Sequence, residues 1–182
     1  VGAAIQSALD QTHPEIEVIV VDDGSTDGSL EIIKSFGDQI KWETGPNQGG
    51  NVTRNRLLEL STGEWLQYLD ADDYLLTNKI HEQLSRINHD DSAIDVMYSP
   101  VTVEVCSVDR VQDRSVSWVD PHTSIYEQWI RWQVAQTGSV LWRRESLLSI
   151  GGWNEDYPCC QDNEITLRAI QKGLNFHYCP DA

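Results

Sequence analysis

Apolar and polar residues follow two alternating periods along the chain, and these periods predict strands and helices in turn. Short, mostly apolar runs over Ile16–Val21 and Trp65–Leu69 predict strands that are covered on both faces. Apolar residues at helical spacing, as at Ile80, Leu84 and Ile87, predict amphipathic helices between the strands. Strands that alternate with helices in this way indicate an α/β domain with a largely parallel sheet.

The second half of the chain carries further boundary signals. Ser124 and Glu127 form a capping-box pattern, which predicts that a helix begins directly after Ser124. The residues over 95–108 predict one or two strands, and a helix predicted over 163–172 ends at Gly173. With 182 residues and no internal repeat or long linker, the chain is expected to form one domain.

Acidic residues follow both of the apolar strands. Asp22 and Asp23 end the first run, and Asp70, Asp72 and Asp73 follow the second. In open α/β sheets, ligands bind in the crevice outside the carboxyl ends of the strands. Carboxylates gathered there repel one another unless a cation such as Mg²⁺ or Mn²⁺ neutralises them. The pattern therefore predicts a metal-bridged diphosphate, and the alternative is that these aspartates serve only as turn and cap residues.

Charge and hydropathy narrow the choice of partners. Lys and Arg number 13 and Asp and Glu number 29, so the formal net charge is −16 at pH 7. An acidic chain is poorly suited to nucleic acids or anionic membrane surfaces and is compatible with sites for divalent cations. No apolar run approaches the ~18 residues that a transmembrane helix needs, and no signal-peptide pattern opens the chain. These features predict a cytoplasmic protein, with peripheral contact to the inner face of the membrane left open.

Several motifs occur in an order that is specific to one family. Val20–Asp27 carries an Asp-Asp-Gly-Ser stretch, Gly63–Asp73 carries an Asp-x-Asp motif, and Gln161–Arg168 carries Asp162 at the start of a predicted helix. Further segments with the same family's pattern are Ala4–Thr12, Asn47–Gly50 with Arg54 and Asn55, Gly151–Glu155 and Tyr178–Ala182. Together these segments cover nearly the whole chain, and they resemble the family 2 glycosyltransferases, which have the GT-A fold.

The resemblance implies a Rossmann-like, mostly parallel sheet flanked by helices, with a mixed acceptor-side region in the C-terminal part. It implies one domain over 1–182, divided into a nucleotide-binding half (1–94) and an acceptor and catalytic-base half (95–182). The implied donor is a nucleotide-diphosphate sugar, with a UDP-sugar preferred. The implied acceptor is a hydroxyl of a glycan or of a lipid-linked molecule.

Five residues take donor-side roles from the resemblance. Asp23, with Asp22 beside it, would bind the nucleotide, and a carboxylate can accept a hydrogen bond from a base N–H. Arg54 would neutralise phosphate charge, and its alternative is a solvated position on a helix. Asp70 would lie near the ribose and the metal, and Asp72 would bind Mn²⁺ or Mg²⁺.

Asp162 would be the general base. A single base fits an inverting displacement, in which it takes the proton from the acceptor hydroxyl as that oxygen attacks the anomeric carbon. The alternative is that Asp162 caps the helix predicted to begin at Asn163, and the two roles are compatible. Gln161 stands where the family usually has Glu, a difference that changes the electrostatics around Asp162 and leaves the proton acceptor in place.

The resemblance has gaps at both ends of the chain. Val1 already lies within the helix that follows the family's first strand, and in the family that strand runs between the strands matching Ile16–Val21 and Trp65–Leu69. The chain ends at Ala182, before the family's C-terminal continuation. We therefore expect the chain expressed alone to be unstable or self-associated. A truncated, non-catalytic nucleotide-binding fragment and a nucleotidyltransferase stay open as alternative functions.

Tryptophans are concentrated in the second half of the chain. Their rings suit either an aromatic platform for an acceptor sugar or packing in the core. The core is the simpler interpretation for two of them, which lie three residues apart on one predicted helix face. The residues are Trp118, Trp129, Trp132, Trp142 and Trp153.

Overall fold

The computed structural model describes residues 1–87, 94–107, 110–117, 120, 122–133 and 136–182. Trp118, which belongs to the predicted aromatic cluster, lies outside the described residues. The boundary expected between residues 94 and 95 lies one residue after the undescribed residues 88–93.

Helices and strands alternate through most of the described residues. The helices are α1 (Gly2–Leu9), α2 (Ser29–Ser35), α3 (Gly50–Leu60), α4 (Lys79–Leu84), α5 (Ile125–Ile130), α6 (Arg144–Ser149) and α7 (Gln161–Lys172). The strands are β1 (Ile19–Asp22), β2 (Lys41–Thr44), β3 (Trp65–Gln67), β4 (Val96–Tyr98), β5 (Val101–Ser107), β6 (Arg110–Ser117), β7 (Val140–Arg143) and β8 (Phe176–Tyr178). The predicted capping box is confirmed, because Ser124 and Glu127 bond to each other's backbone at the start of α5.

The strands form three separate groups. β1 pairs with β2 in parallel, and β5 pairs with β6 as an antiparallel hairpin. The largest sheet has four strands in the order β3-β7-β4-β8, with β4 and β8 parallel. The predicted α/β class is confirmed, but this sheet is mixed because β7 runs antiparallel to both of its neighbours.

The main core lies where α3, α6 and α7 cover the four-stranded sheet. Leu147 from α6, Val96 from β4 and Ile165 from α7 are each at most 1% exposed and belong to one cluster. Trp142 and Trp153 belong to the same cluster and are core residues, whereas Trp132 is 71% exposed. The core interpretation is therefore confirmed for Trp142 and Trp153, whose burial stabilises this packing, and an acceptor platform stays a prediction.

A groove separates β1 from β3. Within the described residues, β1 pairs only with β2 and β3 pairs only with β7, so each has a second edge without a strand partner. Glu17 precedes β1 and accepts a hydrogen bond from the backbone N–H of Thr62, which precedes β3, at 3.1 Å. A cavity of about 940 Å³ lies between the two strands. It lies where the resemblance places the family's first strand.

No helix within the described residues combines the length and the apolar character that crossing a membrane requires. This finding agrees with the absence of a long apolar run in the sequence.

Candidate functional site

The end of β1 is tied to the loop that leads into α3. The two carboxylate oxygens of Asp23 accept hydrogen bonds from the backbone N–H groups of Gln48 at 2.7 Å and Gly49 at 2.9 Å. Gly24 has φ +75°, and a Cβ there would lie 2.7 Å from the backbone nitrogen of Asn47. Only glycine allows this close approach without a clash. The plane of the Asp23 carboxylate is therefore fixed at the mouth of the groove.

Asp22 has a different environment from Asp23. It is 5% exposed, and its carboxylate accepts hydrogen bonds from the backbone N–H of Ser25 at 3.3 Å and from the hydroxyl of Thr44 at 2.6 Å. The Ser25 and Thr44 side chains, with a smaller effect of the Ser25 backbone N–H, lower the pKa of Asp22 below its ordinary value. This is the turn chemistry that the alternative interpretation of the acidic cluster predicts.

Arg54 of α3 is held between a carboxylate and an aromatic ring. Its Nη2 donates to Oδ1 of Asp70 at 2.9 Å, and its guanidinium carbon lies 4.9 Å from the centroid of the Trp153 ring. Tyr68 meets Trp153 edge to face at 5.4 Å and donates its hydroxyl to the backbone carbonyl of Arg54 at 3.2 Å. The Arg54 side chain is only 17% exposed. It is thus a fixed cation of the site and not a solvated helix residue.

Three carboxylates follow β3 within four residues. Asp72 and Asp73 are exposed, and Asp70 is partly exposed. Partial burial, together with the negative charges of Asp72 and Asp70, raises the pKa of Asp73. Burial is the larger cause of this shift, and the charges of Asp72 and Asp70 are the smaller ones. Among the described residues, no group of three or more His, Cys, Asp or Glu side chains is arranged to hold a metal ion.

These carboxylates fit a metal that is only partly bound by protein. Mg²⁺-type ions keep several waters and take one or two carboxylates plus substrate phosphates, so a complete protein cage is not expected. Asp70 and Asp72 would supply those carboxylates, and a cation bound to them would relieve the repulsion at Asp73.

Asp162 is the second residue of α7. The N-cap of this helix is Cys160, which has φ 57° and makes no side-chain cap, so the predicted capping role of Asp162 is wrong. Its Oδ1 instead accepts a hydrogen bond from the hydroxyl of Thr137 at 2.6 Å. Burial raises the pKa of Asp162, with a smaller raising effect from Asp70, against lowering by Thr137 and Arg54.

The structure brings most of the predicted site residues together. Asp23, Arg54 and Asp70 line the groove between β1 and β3. Asp162 lies near them, since the charges of Arg54 and Asp70 both affect its pKa. Asp22 and Asp72 do not line this groove. The site therefore joins residues from the segment after β1, α3, the segment after β3, and α7.

Thr137 belongs to the site but is not among the residues predicted from sequence. It lies 25 residues before Asp162 along the chain, and no local pattern marks a contact of that separation. A hydroxyl residue in a polar stretch directly before a predicted strand is the one sequence signal, and many structural residues share it.

Comparisons with known proteins agree with the geometry. A family model described as "Glycosyl transferase family 2" matches residues 1–147, which exclude Asp162. The chain is 38% identical over 84 residues to the UDP-Glc:alpha-D-GlcNAc-diphosphoundecaprenol beta-1,3-glucosyltransferase WfaP of Escherichia coli, covering 45% of this chain and 34% of that protein. The chain thus spans about a third of the length of the curated relatives it matches.

Solved structures match over almost the whole chain. The structure of S. aureus TarS 1-349 in complex with UDP has a TM-score of 0.75 at 21% identity, covering 99% of this chain and 54% of that one. The mannosyltransferase PcManGT from Pyrobaculum calidifontis, in complex with GDP-Man and Mn²⁺, has a TM-score of 0.67 at 17% identity, covering 97% of this chain and 49% of that one. The match to residues 1–147 and this shared GT-A fold together show that the chain belongs to glycosyltransferase family 2.

Proposed function

We propose that the protein transfers a sugar from a UDP-sugar to an acceptor hydroxyl, with inversion at the anomeric carbon and with help from Mn²⁺ or Mg²⁺. The observation that carries the proposal is the convergence of Arg54, Asp70 and Asp162 beside the groove that Asp23 also lines. The UDP-Glc in the name of WfaP and the UDP in the TarS complex support a UDP-sugar as donor.

The donor nucleotide would bind between Asp23 and Arg54. Both oxygens of Asp23 already accept backbone N–H groups, and a carboxylate has about four lone-pair sites, so it can still accept a base N–H. The guanidinium of Arg54 presents several donors to a phosphate and is already held in place by Trp153. Asp23 follows β1 and Asp70 follows β3, so both lie at the carboxyl ends of strands, where open α/β sheets bind their ligands.

Asp70 and Asp72 would hold the divalent cation. When bound, such an ion stabilises the negative charge that develops on the departing diphosphate. The Mn²⁺ bound in the PcManGT complex supports this role for a metal in the fold. Arg54 contributes a second positive charge on the same side, because it pairs with Asp70 in the free protein.

Asp162 would take the proton from the acceptor hydroxyl. Burial keeps the pKa of its carboxyl above the ordinary value of 3.8, which makes the group a better proton acceptor than an exposed aspartate. One base and one displacement invert the anomeric carbon. The lipid-linked diphosphate in the name of WfaP supports a glycan or lipid-linked acceptor.

Release of UDP from UDP-sugars, with water as the acceptor, tests the proposal without knowledge of the natural acceptor. We expect Mn²⁺-dependent release by the wild-type protein in its full length, and a kcat about 10²- to 10⁴-fold lower for Asp162→Asn with UDP affinity nearly unchanged. Asp38→Asn, an exposed aspartate next to α2, is the matched control and should behave as wild type. No UDP release from any UDP-sugar, or equal kcat for Asp162→Asn and wild type, would contradict the proposal.

A further inference from the structure

One oxygen of the proposed base is held and the other is free. Oδ1 of Asp162 accepts a hydrogen bond from the hydroxyl of Thr137 at 2.6 Å, a distance typical of a charge-assisted bond to a carboxylate. Within the described residues, no hydrogen bond is formed to Oδ2. Thr137 is 7% exposed, so water competes little for its hydroxyl. The bond therefore fixes the rotation of the carboxylate and leaves one defined oxygen to accept a proton.

Thr137 is the first residue of a short 3-10 helix, Thr137–Ser139, whose backbone carbonyls accept hydrogen bonds from two glutamines. Gln67 of β3 donates its Nε2 to the carbonyl of Gly138 at 3.1 Å. Gln83 of α4 donates its Nε2 to the carbonyl of Ser139 at 3.3 Å. Both contacts join segments more than 50 residues apart along the chain. The turn is therefore fixed to strand β3 and to helix α4.

A buried lysine fixes the orientation of both glutamines. Nζ of Lys79 contacts Oε1 of Gln67 and lies 2.8 Å from Oε1 of Gln83. Each amide turns its oxygen to the amine and its nitrogen to a carbonyl, which is the only orientation that satisfies both ends. Lys79 is 6% exposed and Gln83 is fully buried, so a flipped amide would leave buried polar groups unpaired.

We propose that Thr137 is the positioning residue for Asp162, and that Lys79, Gln67 and Gln83 hold its turn in place. The proposal rests on the proposed function, since it assigns Thr137 a role only if Asp162 is the base. The hydroxyl of Thr137 keeps Oδ1 occupied, so Oδ2 faces the acceptor in one geometry. Misplacing a catalytic group by about 1 Å is enough to cost about 100-fold in rate.

The test compares three variants in the UDP-sugar assay with water as the acceptor. Thr137→Val removes the hydroxyl at nearly constant shape, and Thr137→Ser keeps the hydroxyl and removes the methyl group. Thr102→Val, an exposed threonine on β5, is the matched control. Melting curves and UDP titrations of each variant show whether it is folded and binds the donor nucleotide.

We expect Thr137→Val to lower kcat about 10- to 100-fold while the donor KM and the UDP affinity stay within about twofold. Thr137→Ser should restore kcat to within about threefold of wild type. A kcat for Thr137→Val within twofold of wild type would overturn the proposal. So would an equally low kcat for Thr137→Ser, because that result assigns the effect to packing of the methyl group.

Failure of the underlying function gives a different pattern. If the wild-type protein releases no UDP, the proposed function fails. If Asp162→Asn keeps the wild-type kcat, Asp162 is not the base. Either result removes the role of Thr137 along with it. If the wild-type protein releases UDP and its kcat depends on Asp162, the Thr137 variants test the role of Thr137 alone.

Discussion

Nη2 of Arg54 lies 2.9 Å from Oδ1 of Asp70, so helix α3 and the segment after β3 meet through an ion pair. The centroid of the Trp153 ring lies 4.9 Å from the carbon of the same guanidinium. This cation also lowers the pKa of Asp162. Arg54 therefore links the donor-side carboxylates to the proposed base, and it offsets part of their mutual repulsion.

Replacement of Arg54 by methionine should weaken UDP binding by about tenfold or more, because a charge-assisted contact to the diphosphate is lost. Arg56→Met is the matched control on the same helix, since Arg56 pairs with Glu43 and Glu59 at the surface. Calorimetric titration with UDP in the presence of Mn²⁺ measures both variants. Equal affinities for the two variants would show that Arg54 does not contact the nucleotide.

Replacement of Asp72 by alanine should abolish the Mn²⁺ dependence of UDP binding and leave the fold intact. Asp72 is exposed and adds to the repulsion felt by Asp73, so its removal costs no packing and relieves crowding. The melting temperature without metal should be unchanged or higher. Thermal-shift measurements with UDP, with and without Mn²⁺, provide the comparison, and an unchanged Mn²⁺-dependent shift would exclude Asp72 from the metal site.

The strand and helix pattern could be predicted from sequence because its signals are local. The strand predicted over Ile16–Val21 corresponds to β1 at Ile19–Asp22, and the capping box at Ser124 begins α5 as expected. The helix predicted over 163–172 is α7, which begins two residues earlier at Gln161. Helix and strand ends depend on cap geometry and are the least certain part of such a prediction.

The site was only partly predictable because its contacts are long-range. The position of the aspartates after β1 and β3, at the ends of strands, predicts that they lie at a ligand site. Nothing local indicates that Lys79 is buried, since a lysine at the start of a helix is normally exposed. Nor does the sequence show that the partner of Asp162 is Thr137, or that Cys160 occupies the cap position.

The buried lysine should make stability depend on pH. Burial lowers the pKa of Lys79 from 10.5 to about 7. Between these two values the unfolded chain binds a proton that the folded chain does not, so the free energy of unfolding rises with pH across this range. Below about pH 7 the lysine is charged in both states, and the folded state bears the full cost of burying that charge. The free energy of unfolding should therefore rise by about 2 kcal/mol more for wild type than for Lys79→Met between pH 7 and pH 9.

Urea denaturation at several pH values measures this difference. Lys79→Met is expected to be less stable overall, because it leaves the amide oxygens of Gln67 and Gln83 without a donor. The comparison uses only the change in the free energy of unfolding between pH values. The loss of the two hydrogen bonds lowers that free energy equally at every pH and does not affect the change. Parallel pH profiles for the two proteins would mean that Lys79 titrates normally in the folded state.

Turnover of the donor should fall on the acidic side as Asp162 becomes protonated. Burial raises the pKa of this carboxyl above 3.8, so the loss of kcat should begin at a higher pH than for an exposed aspartate. The pH dependence of kcat for UDP release, measured between pH 4 and pH 8 at saturating donor (about the range in which most proteins stay folded), reports this group. A kcat that is flat down to about pH 4 would argue against a buried carboxylate base.

The configuration of the sugar released from an α-linked UDP-sugar tests the central claim most directly. Proton NMR of the reaction with water as acceptor distinguishes the α- and β-anomers before they interconvert. A single displacement assisted by Asp162 predicts that the β-anomer forms first, with Mn²⁺ required and with Asp162→Asn inactive. First formation of the α-anomer, or a rate of release that does not depend on Asp162, would contradict the account.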